Sequence, residues 1–353
     1  MPITYSDLYS KIISFENLYL AFQEAIKGRR TKPEVLAFCR RHEEKIMDMH
    51  RALKAGTWEP GGYIEFLART EVKRRIIHAP IFRDRIVQMA IYRVLMPLFE
   101  NKFIYDSYAC RQGKGTHSAK ARTQTFLRRA ARNYDSVYVL QGDISKYYPS
   151  IYKPYLMEKI TRTVRDKQLL DLLEKIYYGF NDNDRGIPIG AATSQMAANV
   201  VLDTLDHFVK ECLCLKYYVR YMDDFIIILD SKEKLKKVLE DVTWLISGTL
   251  KLSLNPKTQI YPASKGVDFV GYRIWATHVL PRKRDIKAAK LRFKDLSYKF
   301  RWNRINLDDV KPRVDSFLGY MQHCNGYEST KSTLKWLRLQ RRHENENRLY
   351  QNH

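Results

Sequence analysis

Two apolar, β-branched runs flank an acidic tight turn past the middle of the chain, and no other feature constrains the fold as strongly. Lys216 to Tyr221 and Phe225 to Leu229 read as antiparallel strands around Met222-Asp223-Asp224. A second apolar strand, Val137 to Leu140, stops at Gly142-Asp143. If these strands pair side by side, three carboxylates meet at one end of a sheet. Carboxylates that close cannot all stay ionised unless a cation sits among them. Hard oxygen ligands with substrate phosphates suit Mg²⁺. Two such ions, about 3.5–4 Å apart, activate a 3′-hydroxyl and stabilise a leaving pyrophosphate oxygen. Taken alone, Asp-Asp in a turn is structural, because Asp tolerates turn geometry and bonds its own backbone. The flanking β runs and the earlier strand-end aspartate favour the chemical reading.

Composition bounds the rest. The chain has 353 residues, more than the roughly 250–300 at which a single core stops growing, so two or three lobes are expected. It is 45% hydrophobic and 12% aromatic, which excludes global disorder. Lys and Arg number 62 against 39 Asp and Glu, a net charge of +23. That excess points to a polyanionic partner, nucleic acid ahead of an anionic membrane surface. Met1 to Ser14 lacks a basic segment followed by an apolar one, so no secretory leader is expected. Phe225 to Leu229 is far short of the ~20 apolar residues that span a bilayer, so no membrane association is expected. Cys39, Cys110, Cys212, Cys214 and Cys324 form no CxxC pair and no zinc spacing. They read as reduced, mostly buried thiols in a cytoplasmic protein.

Periodicity lays out the elements. Residues 7–55 read as helices, with Pro33 suited to a first turn. A hairpin is expected in 56–80, then helices over 82–101 and 115–133. Residues 152–178 and 194–214 carry helical spacing, and Lys232 to Ser247 is amphipathic. Val267 to Trp275 with Val279 to Pro281 reads as another hairpin. The tail, 282–353, holds 18 Lys and Arg against 8 Asp and Glu and reads as a separate helical lobe.

Tyr221-Met222-Asp223-Asp224 resembles the YxDD signature of reverse transcriptases. Asp143-Ile144-Ser145-Lys146-Tyr147-Tyr148 resembles their first catalytic motif. Other blocks follow in the family's order: Arg75 to Pro80 with Asp84 to Gln88, Ser107 to His117, Asn255 to Thr258, and Phe269 to Tyr272. The resemblance covers about residues 60–280. It implies an α+β right-hand polymerase with fingers, a palm built on a small antiparallel sheet, and a helical thumb. On that reading 1–55 is a helical extension, 56–135 the fingers, 136–281 the palm with a fingers insertion near 152–190, and 282–353 the basic thumb. The implied reaction is RNA-templated DNA synthesis with two Mg²⁺ ions, dNTPs, a template RNA and a primer–template duplex.

The stretch Ile187 to Gln195 narrows the resemblance. Its IGxxxSQ form, with Ser107 to His117, is similar to the reverse transcriptases of diversity-generating retroelements. Those enzymes copy a template-repeat RNA into cDNA with errors opposite adenines. Their helper is a small basic oligomeric protein, the accessory variability determinant. A defence-associated or retron-type reverse transcriptase is the rival within the class, and a non-catalytic RNA-binding subunit the rival outside it.

The resemblance implies roles residue by residue. Asp143, Asp223, Asp224 and the Ile144 carbonyl hold the metals. Tyr148 is the steric gate against a 2′-hydroxyl, or an aromatic of the palm core. Arg75, with Arg69, grips the triphosphate through bidentate guanidinium bonds, or forms part of a solvated basic face. Lys257 donates a proton to pyrophosphate, or is an exposed loop lysine. Gln195 belongs to the nucleotide site. Arg111 and Lys114 hold template or triphosphate phosphates. Ile189, beside Gly190, stands where related enzymes carry a glutamine near the nascent base pair. Its aliphatic chain removes hydrogen-bonding capacity there, or it is a buried strand isoleucine. Trp275, Trp302 and Trp336 read as core residues of the thumb region.

Overall fold

The computed structural model describes residues 4–69 and 74–341. In chain order its elements begin with α1 (Leu8–Ile13), α2 (Phe15–Ala25), α3 (Pro33–Cys39) and α4 (His42–Lys54). The hairpin β1 (Tyr63–Arg69) and β2 (Arg74–Pro80) leads to α5 (Phe82–Glu100) and α6 (Thr116–Asn133). Then come β3 (Tyr138–Asp143), α7 (Tyr147–Ser150), α8 (Lys153–Thr161), α9 (Lys167–Tyr178) and α10 (Ala192–His207). The central hairpin is β4 (Tyr218–Tyr221) and β5 (Asp224–Leu229), followed by α11 (Lys232–Trp244) and β6 (Gln259–Pro262). Last are β7 (Val267–Phe269), β8 (Tyr272–Ile274), β9 (Val279–Pro281), α12 (Lys283–Arg301), α13 (Leu307–Met321) and α14 (Tyr327–Leu334). The strands form a two-stranded sheet, a four-stranded sheet ordered β4–β5–β3–β6, and a three-stranded sheet ordered β7–β8–β9. The class is α+β, as the sequence predicts.

The chain divides into two compact units. The first comprises Met1–Gly115, Leu140–Ile227 and Lys232–Ile260. Helix α5 lies at its centre, packed between α2 and α10. Ile86, Val87, Ala90, Ile91 and Leu95 recur at helical spacing and are fully buried. Helix α10 is buried almost all round, through Met196, Ala197, Ala198, Val201, Leu202 and Leu205. Each such leucine or isoleucine contributes about 1.5–3 kcal/mol of transfer free energy. Local signals set the helix starts. Ser14 Oγ accepts from the Asn17 N–H at the head of α2. Asp166 accepts from Leu169 N–H at the head of α9 and also from Tyr9 N–H at 2.7 Å, so one carboxylate ties α9 to α1.

The second unit comprises Thr116–Val139, Ile228–Ser231 and Tyr261–His353. Helix α12 buries Ala289, Phe293, Leu296 and Phe300, a stripe at spacings of four and three. Asn306 and Asp309 close a capping box at the head of α13. Helix α6 packs on β8, with His117 and Lys120 against Tyr272, and buries Phe126, Leu127 and Ala130.

Four expectations are corrected. The run from Val267 to Trp275 is two strands, because Val270 at φ 43° and Gly271 at φ 94° turn the chain after Phe269. Residues 152–178 form two helices, broken between Thr161 and Lys167. No cysteine is buried: Cys212 and Cys214 are exposed, and the other three are half-buried. Trp302 and Trp336 are exposed rather than core, since Trp302 sits at the end of α12 beyond the buried stripe. Among the described residues, no helix is long and apolar enough to cross a membrane.

Candidate active site

The acidic turn is tighter than the sequence suggests. Strands β4 and β5 pair with Tyr221 opposite Asp224, so Met222 and Asp223 alone make the turn. Met222 adopts φ 55°, the left-handed region that costs a side-chain-bearing residue about 1–2 kcal/mol. A buried guanidinium supports that geometry. Arg220 Nη1 donates to the Met222 carbonyl at 2.9 Å. The same side chain is fully buried and pairs with Asp206 through two hydrogen bonds of 2.7 and 2.6 Å. It also donates to Asn199 Oδ1 and Ser107 Oγ. Tyr218 OH donates to Asp206 Oδ1 at 2.6 Å. Burial opposes the charge on Arg220, but the Asp206 carboxylate outweighs it and the pKa is raised. Burial, then Asp206, pushes the Tyr218 hydroxyl well above its ordinary value.

Asp143 ends β3, the neighbour of β5. Gly142 makes their close approach possible: a Cβ there would lie 2.2 Å from the Phe225 ring. Glycine at 142 thus lets the Asp143 end of β3 sit beside the Asp224 end of β5. On the other side, Asn255 grips Asp143 twice. Its Nδ2 donates to Asp143 Oδ2 at 2.9 Å, and its main-chain N–H to the Asp143 carbonyl at 2.7 Å. Ser145 N–H donates to the Ser253 carbonyl. Carbonyls alternate in direction along a strand, so the Ile144 carbonyl points away from residues 253–255. Asn255 Oδ1 meanwhile accepts from the Lys257 N–H at 3.1 Å, an Asx turn. The Asn255 block is visible in the sequence, but its contact with Asp143 is not. The Arg220–Asp206 pair carries one signal there, an arginine inside an apolar strand, which implies a buried partner.

The expected three-carboxylate cluster does not form. Among the described residues, no group of three or more His, Cys, Asp and Glu side chains is placed to hold a metal ion. Asp223 lies in the two-residue turn and Asp224 is the first residue of β5, so the two carboxylates leave the hairpin from different kinds of backbone. What the fold assembles is a set of hard oxygens at neighbouring strand ends: Asp143, the Asp223–Asp224 turn and the Ile144 carbonyl. That donor set fits a hard divalent cation.

Tyr148, half-buried in α7, sets its hydroxyl 3.7 Å from Met222 Sδ. Ile189 is half-buried in a turn rather than in a strand, and Gly190 beside it takes φ 113°. A Cβ at 190 would press to 3.0 Å from Ile77 of β2. Gln195 lies half-buried in the first turn of α10, and Lys257 is exposed. Arg69 and Arg75 sit near the turn end of the β1–β2 hairpin, where the register pairs Arg75 with Ala68 and Arg69 with Arg74. Their side chains lie outside the described residues.

Arg111 is a correction. Arg111 is buried and bonded to both Glu100 carboxylate oxygens and to the carbonyls of Ile104 and Ser107. Its donors are spent inside the fold, not on phosphates. The Lys114 ammonium donates to the Tyr105 carbonyl and lies 4.3 and 5.2 Å from the Tyr105 and Tyr108 ring centres. Both residues brace the 104–108 segment, which runs beside β4 through hydrogen bonds between Tyr108 N–H and the Arg220 carbonyl, and Arg220 N–H and the Asp106 carbonyl.

Comparison with known proteins bears on the family. The family described as reverse transcriptase (RNA-dependent DNA polymerase) matches residues 69–274. Protein YkfC of Escherichia coli (strain K12) is 25% identical over 253 residues, covering 59% of this chain and 65% of that protein. The group II intron-encoded protein LtrA of Lactococcus lactis subsp. cremoris is 24% identical over 349 residues, covering 76% of this chain and 57% of that protein. The chain thus spans less than two thirds of the length of these relatives. Among solved structures, telomerase from Candida albicans in complex with a fragment of telomeric RNA aligns with a TM-score of 0.48 at 13% identity, over 80% of this chain and 56% of that one. With the family matched across more than half of its length, from the β1–β2 hairpin through β8, the chain belongs to the reverse transcriptase (RNA-dependent DNA polymerase) family.

Proposed function

We propose that this chain is an RNA-directed DNA polymerase and that its finer role is error-prone copying of a template-repeat RNA for diversification of a target gene. What supports the activity is that Asp143 ends β3, the neighbour of β5, while Asp223 and Asp224 stand at the start of β5. These groups would hold the divalent ions, Mg²⁺ by the hardness of the ligands. When bound, such ions lower the pKa of a primer 3′-hydroxyl and stabilise the charge on a leaving pyrophosphate. The chain's own residues do the rest. Asn255 fixes the Asp143 carboxylate in one orientation. Tyr148, beside Met222, stands under the sugar and excludes a 2′-hydroxyl. Arg75 and Arg69 grip the triphosphate, Gln195 lines the nucleotide site, and Lys257, exposed on its Asx turn, supplies a proton to pyrophosphate.

On the same reading the fingers, palm and thumb take the segments given above, and the basic tail holds the primer–template duplex through phosphates without reading sequence. The IGxxxSQ stretch supports the retroelement role: Ile189 offers no hydrogen bond where a glutamine amide would test the base pair. The partner implied is a small basic oligomeric accessory protein. Relatedness to a group II intron-encoded protein supports a second reading, a retron-type or defence-associated enzyme with the same chemistry and a different template.

The test is extension of a DNA primer on an RNA template with dNTPs, followed by sequencing of the cDNA. Extension with dNTPs and not rNTPs supports the polymerase reading, and errors concentrated opposite template adenines support the retroelement role. Uniform errors favour the second reading. RNA binding without extension leaves only a binding subunit.

A further inference from the structure

We propose that Arg220 is the positioning residue of the acidic turn, holding Met222 in its left-handed conformation and thereby setting where Asp223 stands. The inference rests on the polymerase reading for its kinetic consequence, but its structural content is independent of it. Arg220 is fully buried and its guanidinium contacts five acceptors. Two are the oxygens of Asp206, which cancel the charge and orient the plane of the fork. Asn199 Oδ1 from α10 and Ser107 Oγ from the segment beside β4 take two more. The fifth is the Met222 carbonyl, at 2.9 Å, one residue before Asp223.

This arrangement exceeds what stability requires. A buried pair can often be replaced by apolar residues of similar volume without loss of stability. Here the pair also reaches out to a strained backbone atom. Left-handed Met222 is unfavourable by itself, and strained backbone at a functional site persists only where its surroundings over-determine it. The Arg220 fork is that surrounding. Arg111 extends the brace, since it holds the Ser107 carbonyl at 2.8 Å while Ser107 Oγ takes the Arg220 bond. The chain of support runs from Glu100 through Arg111, Ser107 and Arg220 to the Met222 carbonyl. It links the segment from Ser107 to Arg111 to the backbone of the acidic turn.

The experiment compares wild type with three variants. Arg220→Lys keeps a charge for Asp206 but replaces a planar fork by a point donor that cannot span the five acceptors. Arg220→Met with Asp206→Leu removes the pair while preserving an apolar core. Ser107→Ala deletes one acceptor, leaves Asp206 paired, and is the arm safest for folding. Readouts are thermal unfolding, primer–template affinity, kcat and KM for dNTP, and amide hydrogen exchange at Met222 to Asp224. Folded Arg220 variants should keep primer–template affinity within twofold and KM within threefold, while kcat falls at least tenfold. Exchange at the turn should rise at least tenfold with the rest of β4 and β5 unchanged, and Ser107→Ala should move both readouts by about threefold. Folded variants with kcat within twofold of wild type and unaltered turn exchange overturn the proposal. Faster exchange in a protein whose wild type never extends a primer instead removes the polymerase reading and leaves the positioning role standing.

Discussion

Asn255 holds Asp143 at both its side chain and its carbonyl, by hydrogen bonds of 2.9 and 2.7 Å. A carboxylate fixed in this way loses little freedom when it takes up a cation. Partners of this kind typically account for 10–100-fold in metal affinity or activity. Asn255→Ala should therefore raise the Mg²⁺ concentration needed for half-maximal nucleotide addition by roughly that factor. Asn255→Asp also loses the amide donor but sets a second carboxylate against Asp143, a pair that a cation relieves, so it should need less metal than Asn255→Ala while still more than wild type. A metal titration of single-nucleotide incorporation reads both, and wild-type midpoints in both variants would contradict the role.

Gly142 is a packing requirement, not a flexible joint. A methyl group there would enter the Phe225 ring at 2.2 Å. Overpacking of this kind costs about 1–3 kcal/mol, so Gly142→Ala should lower Tm by several degrees and reduce polymerase activity as the β3 and β5 ends part. Phe225→Leu in the same background should recover part of the lost stability. Differential scanning calorimetry of the three proteins checks this.

His207 carries a pH-dependent contribution. Its ring nitrogens lie 2.7 Å from Glu211 Oε1, 3.3 Å from Asp203 Oδ1 and 3.0 Å from the Lys102 carbonyl. Asp203 chiefly, against the opposing effect of burial and with help from Glu211, raises its pKa to about 10. The folded pKa lies above the unfolded value of about 6.5. The stabilisation is thus complete below that value and is lost as pH rises through about 10. His207→Gln should unfold at lower temperature than wild type at pH 6, and the gap should close by pH 10.5. The site is about one-third exposed, so the effect is screened and falls with salt. A gap independent of pH would refute the assignment.

Ile189 occupies a half-buried turn, not a strand interior. If its lack of hydrogen-bonding capacity relaxes base-pair checking, Ile189→Gln should lower misincorporation opposite template adenine several-fold with little change in overall extension rate. Sequencing of cDNA made by both proteins measures it. An unchanged adenine error rate would sink the fidelity role.

Much of this fold could be read from residue patterns, and the reasons are local. The β4–β5 hairpin is legible because apolar β-branched runs end at turn residues, and α1 to α6 because apolar positions recur at three and four. The strand break at Val270-Gly271 was less visible, since valine seldom takes positive φ and a lone glycine signals little. The aspartates were legible as strand-end carboxylates. Arg111 was misread because a basic residue near glycines looks the same whether it meets a phosphate or Glu100. Asn255 and Arg220 act through partners more than a hundred positions away in sequence, Asp143 and Ser107, and no spacing rule reports such contacts.

The most direct test of the account is single-nucleotide incorporation by wild type and Asp223→Asn on an RNA template with a DNA primer and Mg²⁺, with primer–template binding measured in parallel. The account predicts that wild type adds dNTPs, that Asp223→Asn adds none, and that binding stays within twofold. Full incorporation by Asp223→Asn would contradict it.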